Sequence, residues 1–323
     1  VPGLDAHRLR GGMITHDGQL ADDARLVVAV ARSAAALGTS ILTRVRALRL
    51  HADGADAEDV LTGERLTIRA RSVINATGVW AGSLDDAITV RPSRGTHIVL
   101  DGAALGHPLA ALTIPHVGSI SRYVFALPQP GGRVYVGLTD EDAPGDVPRV
   151  AQPTEPEIAF LLESLNRVLQ TPVRREQVLG AFAGLRPLVD SGSGSTADVS
   201  RRHLVAASND GFVSVLGGKL TTYRRMAQDA VDLAVRTRGL TAPPSRTAAL
   251  RLAAFSPVDP APPLAEGLSL SAADVVDAVR TQGAMTADDV LDRRTRVGLV
   301  PEERARALPL VADLVARALD ELG

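Results

Sequence analysis

"VLGGKLTTYRRMAQDAVDLAV" (residues 215–235) joins the end of an apolar strand to two glycines, one lysine, two threonines and a helix. The strand runs in from "FVSVL", and beyond the turn Met226, Ala227, Ala230, Val231 and Ala234 recur at helical spacing. Thr221 or Thr222 is placed to cap that helix. A strand turning directly into a helix is the unit of an α/β sheet, and the first helical turn points N–H groups and partial positive charge beyond the strand end. Gly217 and Gly218 let an anion or a planar ring approach the backbone, and Lys219 adds a full charge at the same place. The spacing is not that of a P-loop, because Val213 stands five residues before Gly218 and no Ser or Thr follows the lysine directly. The same pattern also fits a plain strand–turn–helix with a solvated lysine.

Upstream, "DDARLVVAVARSAAALG" (22–38) reads as a helix with acidic residues at its start and Gly38 as its stop. "SILTRVRALRL" then reads as a strand, and "DVLTGERLTIRARSVINATG" as a glycine-turned hairpin running into "SVINATG". From about residue 88 short apolar runs alternate with turn residues, the mark of an antiparallel sheet, and "PEIAFLLESLNRVLQ" supplies one helix with Ile158, Leu161, Leu162, Leu165 and Val168 on one face. Residues 242–263 carry six prolines and read as a linker, followed by three helical segments. The expected organisation is α/β: a partial nucleotide-binding domain (1–87), an antiparallel sheet with one helix (88–180), a return to the first domain (181–241), the linker (242–263) and a helical domain (264–323).

The totals set bounds. The chain has 323 residues and a net charge of −2, so nothing global points to nucleic acid or an anionic membrane surface. It has no cysteine, which excludes disulfides, thiolate metal sites and cysteine catalysis, and fits a reducing compartment. The seven histidines show no i, i+4 pairing, so no metal site is expected. No apolar run reaches the roughly 18 residues of a membrane span. The opening "VPGLDAHRLRGG" reads as a mid-domain loop, so the chain is expected to be a fragment.

Other motifs carry candidate chemistry. In "SVINATG" the small residues Ala76, Thr77 and Gly78 end a strand where α/β sheets bind ligands. "SRGTHIVL" places His97 on a strand of the second sheet with Arg94, and a histidine suits proton exchange near neutral pH; a packing role fits the same pattern. "GLRPLVD" and "DVSRRHLV" bring Arg186, Arg201 and Arg202 into reach of Lys219, a cation set matched to a phosphate monoester. Pro187 fixes the backbone after Arg186 and suggests a positioned side chain. "GSGSTA" (192–197) has the form of a dinucleotide fingerprint, but its flanks read as strand rather than strand-then-helix, and it is set aside as a loop.

In this order, "NATGVWAG", "RGTHIVL", "GLTDED", "GLRPL" and above all "GGKLTTYR" resemble the flavin-dependent glycerol-3-phosphate dehydrogenases, and "DVLDRRTRVGL" resembles their closing helical domain. The resemblance implies a glutathione-reductase-type FAD domain interleaved with an antiparallel substrate domain. It implies FAD as cofactor, with Val45 near adenine, Ala76, Thr77 and Gly78 along the cofactor, and Gly217, Gly218, Lys219, Leu220 and Thr221 at the flavin ring. It further implies oxidation of glycerol 3-phosphate, with Arg186 near the C2 oxygens, Arg201 and Lys219 on the phosphate, and His97 as the candidate base. A membrane quinone as electron acceptor and a peripheral place on the cytoplasmic face come with it, and a homodimer is compatible. The strand, G-x-G-x-x-G and helix with which that family begins are not in this sequence, so weak or absent FAD binding is expected of this chain alone, and His16 stands where the family tends to carry an aromatic. Two rivals remain: another flavin oxidase of the same fold acting on an amine or a 2-hydroxy acid, and a non-catalytic truncated module.

Overall fold

The structure, a computed structural model, describes residues 3–20, 22–116, 122–189, 203–255 and 261–322. In chain order the main elements begin with α1 (Asp23–Ala36), β1 (Val45–His51), β2 (Gly54–Asp59), β3 (Arg65–Arg69) and β4 (Ile74–Asn75). Next come β5 (Val90–Asp101), β6 (Leu112–Pro115), β7 (Tyr123–Pro128), β8 (Arg133–Gly137), β9 (Glu141–Asp142), α2 (Glu155–Asn166) and β10 (Val178–Val189). The last are β11 (His203–Ala207), β12 (Val213–Gly217), α3 (Tyr223–Thr237), α4 (Ala272–Gln282), α5 (Ala287–Asp289) and α6 (Pro301–Asp320). Three sheets result: a meander β1-β2-β3, a six-stranded sheet in the order β10-β5-β8-β7-β6 with β9 on β5, and the set β11-β12-β4.

The six-stranded sheet is antiparallel throughout, and its longest pair sets the edge strand β10, from Val178 to Val189, against β5. One face carries Ile98, Leu100, Val124, Ala126 and Val136, and α2 covers it with Ile158, Leu161, Leu162 and Leu165. The 3.6-residue period of α2 meets the two-residue period of the strands in this core, where each fully buried Leu or Ile contributes roughly 1.5–3 kcal/mol. A capping box on Thr154 and Glu157 starts the helix. The expected boundary at 180/181 falls inside β10, which belongs to this sheet through Val189.

In the third sheet β12 pairs with β4 in parallel, with Ser214 opposite Asn75, so both strands end at the same edge. Phe212, Val213, Ser214 and Leu216 are buried, as expected of a strand covered on both faces. The helix read at 22–38 is α1, where the Asp22 side chain accepts from the Arg25 amide at 2.9 Å and Gly38 takes φ +96°. The strand read from Ser40 starts only at Val45; Arg44 before it has φ +61°, and Ile41 and Leu42 are exposed. The described part of the proline-rich stretch holds one 3₁₀ turn and lies against the helices: Arg224 donates to the Thr247 hydroxyl at 3.1 Å and the Ala253 amide to Ser33 at 2.7 Å.

The closing helices form their own core from Val275, Val279, Leu291, Val311 and Val315 among others. They also touch the antiparallel sheet, where Val300 and Leu299 pack with Val99, Tyr135 and Phe182. A Cβ at Gly180 would lie 2.0 Å from the Leu299 carbonyl oxygen, so this contact requires glycine. Among the described residues no helix is long and apolar enough to cross a membrane.

Candidate active site

The site is assembled from a sheet edge and a sheet face. At the shared end of β4 and β12 the chain leaves the sheet through Ala76–Gly78 on one side and Gly217–Lys219 on the other. Asn75 is buried and folds the first of these turns: its amide donates to the Ala81 carbonyl at 3.2 Å, and its carbonyl oxygen accepts from the Thr77 hydroxyl at 2.7 Å. Gly78 has φ +61°, and Gly217 and Gly218 have φ +68° and +71°, a conformation that favours glycine. A Cβ at Gly78 would meet nothing within 4 Å, whereas at Gly218 it would lie 2.5 Å from the Met226 sulfur.

The helix after Lys219 starts differently from the sequence expectation. Residues Leu220–Thr222 form a 3₁₀ turn and α3 begins at Tyr223. Thr222 holds the N-cap position but makes no side-chain cap. Its hydroxyl instead donates to the Lys219 carbonyl at 2.9 Å and accepts from the Lys219 amide at 3.3 Å. The threonine therefore fixes the lysine's backbone, and the first-turn amides of α3 donate no hydrogen bond to its side chain. Leu220 and Trp80 stand half exposed, one following each glycine turn.

The second part of the site is the face of the antiparallel sheet opposite α2. Arg186 on β10 pairs with Ser93 on β5, Gly184 with Gly95, and Phe182 with His97, so His97, Phe182 and Arg186 share this face. The Arg186 guanidinium lies over Gly95, where a Cβ would sit 2.3 Å from Nη2. Nη1 donates to the Ser93 hydroxyl at 3.3 Å and to Asp140 Oδ1 at 3.2 Å, and Nη2 donates to the Thr139 carbonyl at 3.3 Å. A Cβ at Gly184 would meet nothing within 4 Å, so the floor between Arg186 and Phe182 is bare backbone.

His97 stacks on Phe182 with ring centroids 5.1 Å apart and planes 5° from parallel. Its ring lies over Gly137, where a Cβ would come within 2.2 Å of it. Burial first, and the Arg186 charge second, bring its pKa down to about 4, against a smaller opposite pull from Asp23. The imidazole is therefore neutral at pH 7, with a basicity lowered by the same burial and charge. Arg94 points the other way: its Nε donates to both Glu157 carboxylate oxygens, at 3.1 and 3.0 Å. Burial pushes the Glu157 carboxyl up, but hydrogen bonds from Thr154 and Thr139 and the Arg94 charge outweigh it, and its pKa is lowered.

Arg186 and Lys219 line one hollow of about 310 Å³ together with Leu185, Gly217, Gly218 and Leu220. His97 does not line it, but adjoins Arg186 on the same sheet face. Val45 opens β1 in the meander, apart from the other cofactor candidates. Arg201, Arg202 and the "GSGSTA" loop lie outside the described residues. A larger hollow of about 610 Å³ between α1, α3 and residues 242–252 is mostly apolar and does not include His97, Arg186 or Lys219. Ser93, Thr139 and Asp140 had no expected role. The polar pair Thr139 and Asp140, one residue beyond the apolar strand "VYVG", is the signal for two of them.

The family profile described as "FAD dependent oxidoreductase" matches residues 1–224. Glycerol-3-phosphate dehydrogenase 1 of Mycobacterium tuberculosis is 44% identical over 98% of this chain and 69% of that protein. The chain belongs to the FAD-dependent oxidoreductase family, among its glycerol-3-phosphate dehydrogenases. The human mitochondrial glycerol-3-phosphate dehydrogenase is 37% identical over 78% of this chain and 36% of its own length. A glycerol-3-phosphate dehydrogenase from Bacillus halodurans, solved with FAD, has the same fold at TM-score 0.69 and 23% identity, covering 93% of this chain and 72% of that one.

FAD is the cofactor of this family, and the geometry suits its ring system. The shared edge of β4 and β12 offers open backbone at Gly78, left-handed glycines at 217 and 218, and a helix start without a side-chain cap. A flat ring can lie against such an edge, and a helix N-terminus favours negative charge placed on it.

Proposed function

We propose that this chain carries the substrate-oxidising half-site of a glycerol-3-phosphate dehydrogenase, converting sn-glycerol 3-phosphate to dihydroxyacetone phosphate. The observation that carries this reading is the joint hollow of Arg186 and Lys219 at the edge of Gly217 and Gly218, with a neutral imidazole beside Arg186. FAD, when bound, supplies the acceptor for the hydride leaving C2. Lys219 is a point charge on a flexible stem and suits the phosphate dianion, while the Arg186 fork suits the oxygens near C2. His97 takes the C2 hydroxyl proton, and the Arg186 charge beside it stabilises the alkoxide that develops. Arg201 is assigned to the phosphate by resemblance. Ala76, Thr77 and Gly78 line the cofactor on one strand end, and Gly217, Gly218, Leu220 and Thr221 line it on the other. Val45 is assigned to the adenine end.

Electron delivery to a membrane quinone, a peripheral place on the cytoplasmic face and a homodimer belong to the same proposal. They rest on the resemblance of motifs such as "GGKLTTYR" to the flavin-dependent dehydrogenases alone. Steady-state assays of the FAD-loaded protein with a quinone analogue, comparing glycerol 3-phosphate with glycerol and with amino acids, test it. Turnover of glycerol 3-phosphate alone is expected. Turnover of amino acids alone would sink the assignment in favour of an amine oxidase.

A further inference from the structure

The stretch "GLTDED" (137–142) is one of those that resemble the flavin-dependent dehydrogenases. Its residues touch both candidate catalytic side chains. Gly137 ends β8 opposite His97, and the imidazole occupies the space of its missing side chain. The Thr139 carbonyl accepts from Arg186 Nη2 at 3.3 Å, and Asp140 Oδ1 accepts from Nη1 at 3.2 Å. The Ser93 hydroxyl, fully buried, donates to the same Asp140 oxygen and accepts from Arg186 at 3.3 Å.

The same residues are anchored from behind. The Thr139 hydroxyl donates to Glu157 Oε1 at 3.0 Å and accepts from the Thr96 amide at 2.9 Å. Glu157 is the residue that closes the capping box of α2 and binds Arg94. Asp142 bonds Arg91 at 2.5 Å, and Glu141–Asp142 pair with Ser93 and Arg94 as β9. The stretch is thus tied to β5 on both sides of the point where it meets Arg186, and through Glu157 to a helix on the far face.

We infer that residues 137–140 form a bracket that fixes the Arg186 guanidinium relative to the His97 ring, with Asp140 as the positioning residue. An arginine has several soft torsions, and one neighbour alone would leave its charge spread over many rotamers. Three acceptors, Asp140 and the Ser93 hydroxyl at Nη1 and the Thr139 carbonyl at Nη2, define the plane of the fork, and the ionised one makes that hold strong. Asp140 is largely buried, borders a separate hollow with Thr139, Glu141, Tyr123 and Phe160, and does not line the one shared by Arg186 and Lys219. It acts through Arg186 rather than on substrate. This inference rests on the function proposed above only for its kinetic readout.

The test uses Asp140→Asn and Ser93→Ala, each in the wild-type and in an Arg186→Ala background. Phenylglyoxal modification of Arg186, followed by peptide mass spectrometry, reports how firmly the guanidinium is held and needs no substrate. Asp140→Asn is expected to speed that modification about tenfold, the loss of one charge-assisted hydrogen bond. It is also expected to lower kcat/KM for glycerol 3-phosphate about tenfold when Arg186 is present, and less than twofold when it is absent. A purely structural role would lower activity by the same factor in both backgrounds and would overturn the inference. If Asp140→Asn does not fold, Ser93→Ala carries the comparison, with a smaller effect in the same direction. Unchanged phenylglyoxal rates in the variants that fold refute the bracket. Absence of glycerol 3-phosphate turnover in the wild type refutes the function instead, and the modification rates still decide the bracket.

Discussion

Gly95→Ala adds one methyl group beneath the Arg186 guanidinium. Gly95 is not among the residues with positive φ, so the backbone accepts alanine, and the effect is confined to the side chain above it. The new Cβ would lie 2.3 Å from Nη2, 2.9 Å from Cζ and 3.1 Å from Nη1. Ordinary contact lies near 3.5 Å, so the guanidinium must retreat by roughly 1 Å. Its hydrogen bonds to Ser93, Asp140 and Thr139 are already 3.2–3.3 Å long, and such a shift breaks at least two of them. The displaced group is the far end of a flexible, part-exposed side chain, so global stability should fall by no more than about 1–2 kcal/mol. Catalysis should suffer more, because a misplacement of about 1 Å in a positioning group costs on the order of 100-fold. The assay pairs a denaturant melt with kcat/KM for glycerol 3-phosphate. A variant that keeps kcat/KM within threefold of wild type would refute a role for Arg186 held in this position.

Further tests bear on the other groups. Lys219→Ala should raise KM for glycerol 3-phosphate at least tenfold with a smaller change in kcat, the loss expected for a charged hydrogen bond to phosphate; equal losses in kcat and kcat/KM would place Lys219 in the chemical step instead. His97→Asn should lower turnover about 100-fold and abolish an acid limb of the pH profile near pH 4, since the imidazole is neutral above that value; an unchanged profile removes it as the base. The same lowered pKa means that the unfolded chain binds the proton more readily between about 4 and 6.5. Stability should therefore decline as pH falls through that window, and His97→Asn should flatten the decline in melts taken at successive pH values. Leu161→Ala, at a fully buried position between α2 and the sheet, should cost about 2–5 kcal/mol in a denaturant melt.

Much of this layout was legible in the residues. The strand–glycine–helix of 215–235 and the apolar face of α2 each obey one local rule, and local rules can be read without tertiary knowledge. The resemblance carried the substrate and the cofactor, which no spacing could have given. Other features needed the folded neighbours. Arg94 and His97 stand three apart on a strand, so they face opposite ways, and only the packed helix shows that Arg94 belongs to Glu157. Thr222 looked like a helix cap because of its residue type, but the Lys219 backbone reaches its hydroxyl. Asp140 meets Arg186 across 46 residues of sequence, through a register that only the sheet defines.

The central claim is that fixed cations on a glycine-lined edge receive a phosphorylated alcohol for oxidation beside a flavin. Anaerobic titration of the FAD-loaded protein, followed by flavin absorbance, measures this without any electron acceptor. Glycerol 3-phosphate is expected to bleach the flavin band, glycerol and amino acids are expected to leave it unchanged, and Lys219→Ala should shift the half-point to higher concentration. Bleaching by an amino acid with none by glycerol 3-phosphate would contradict it.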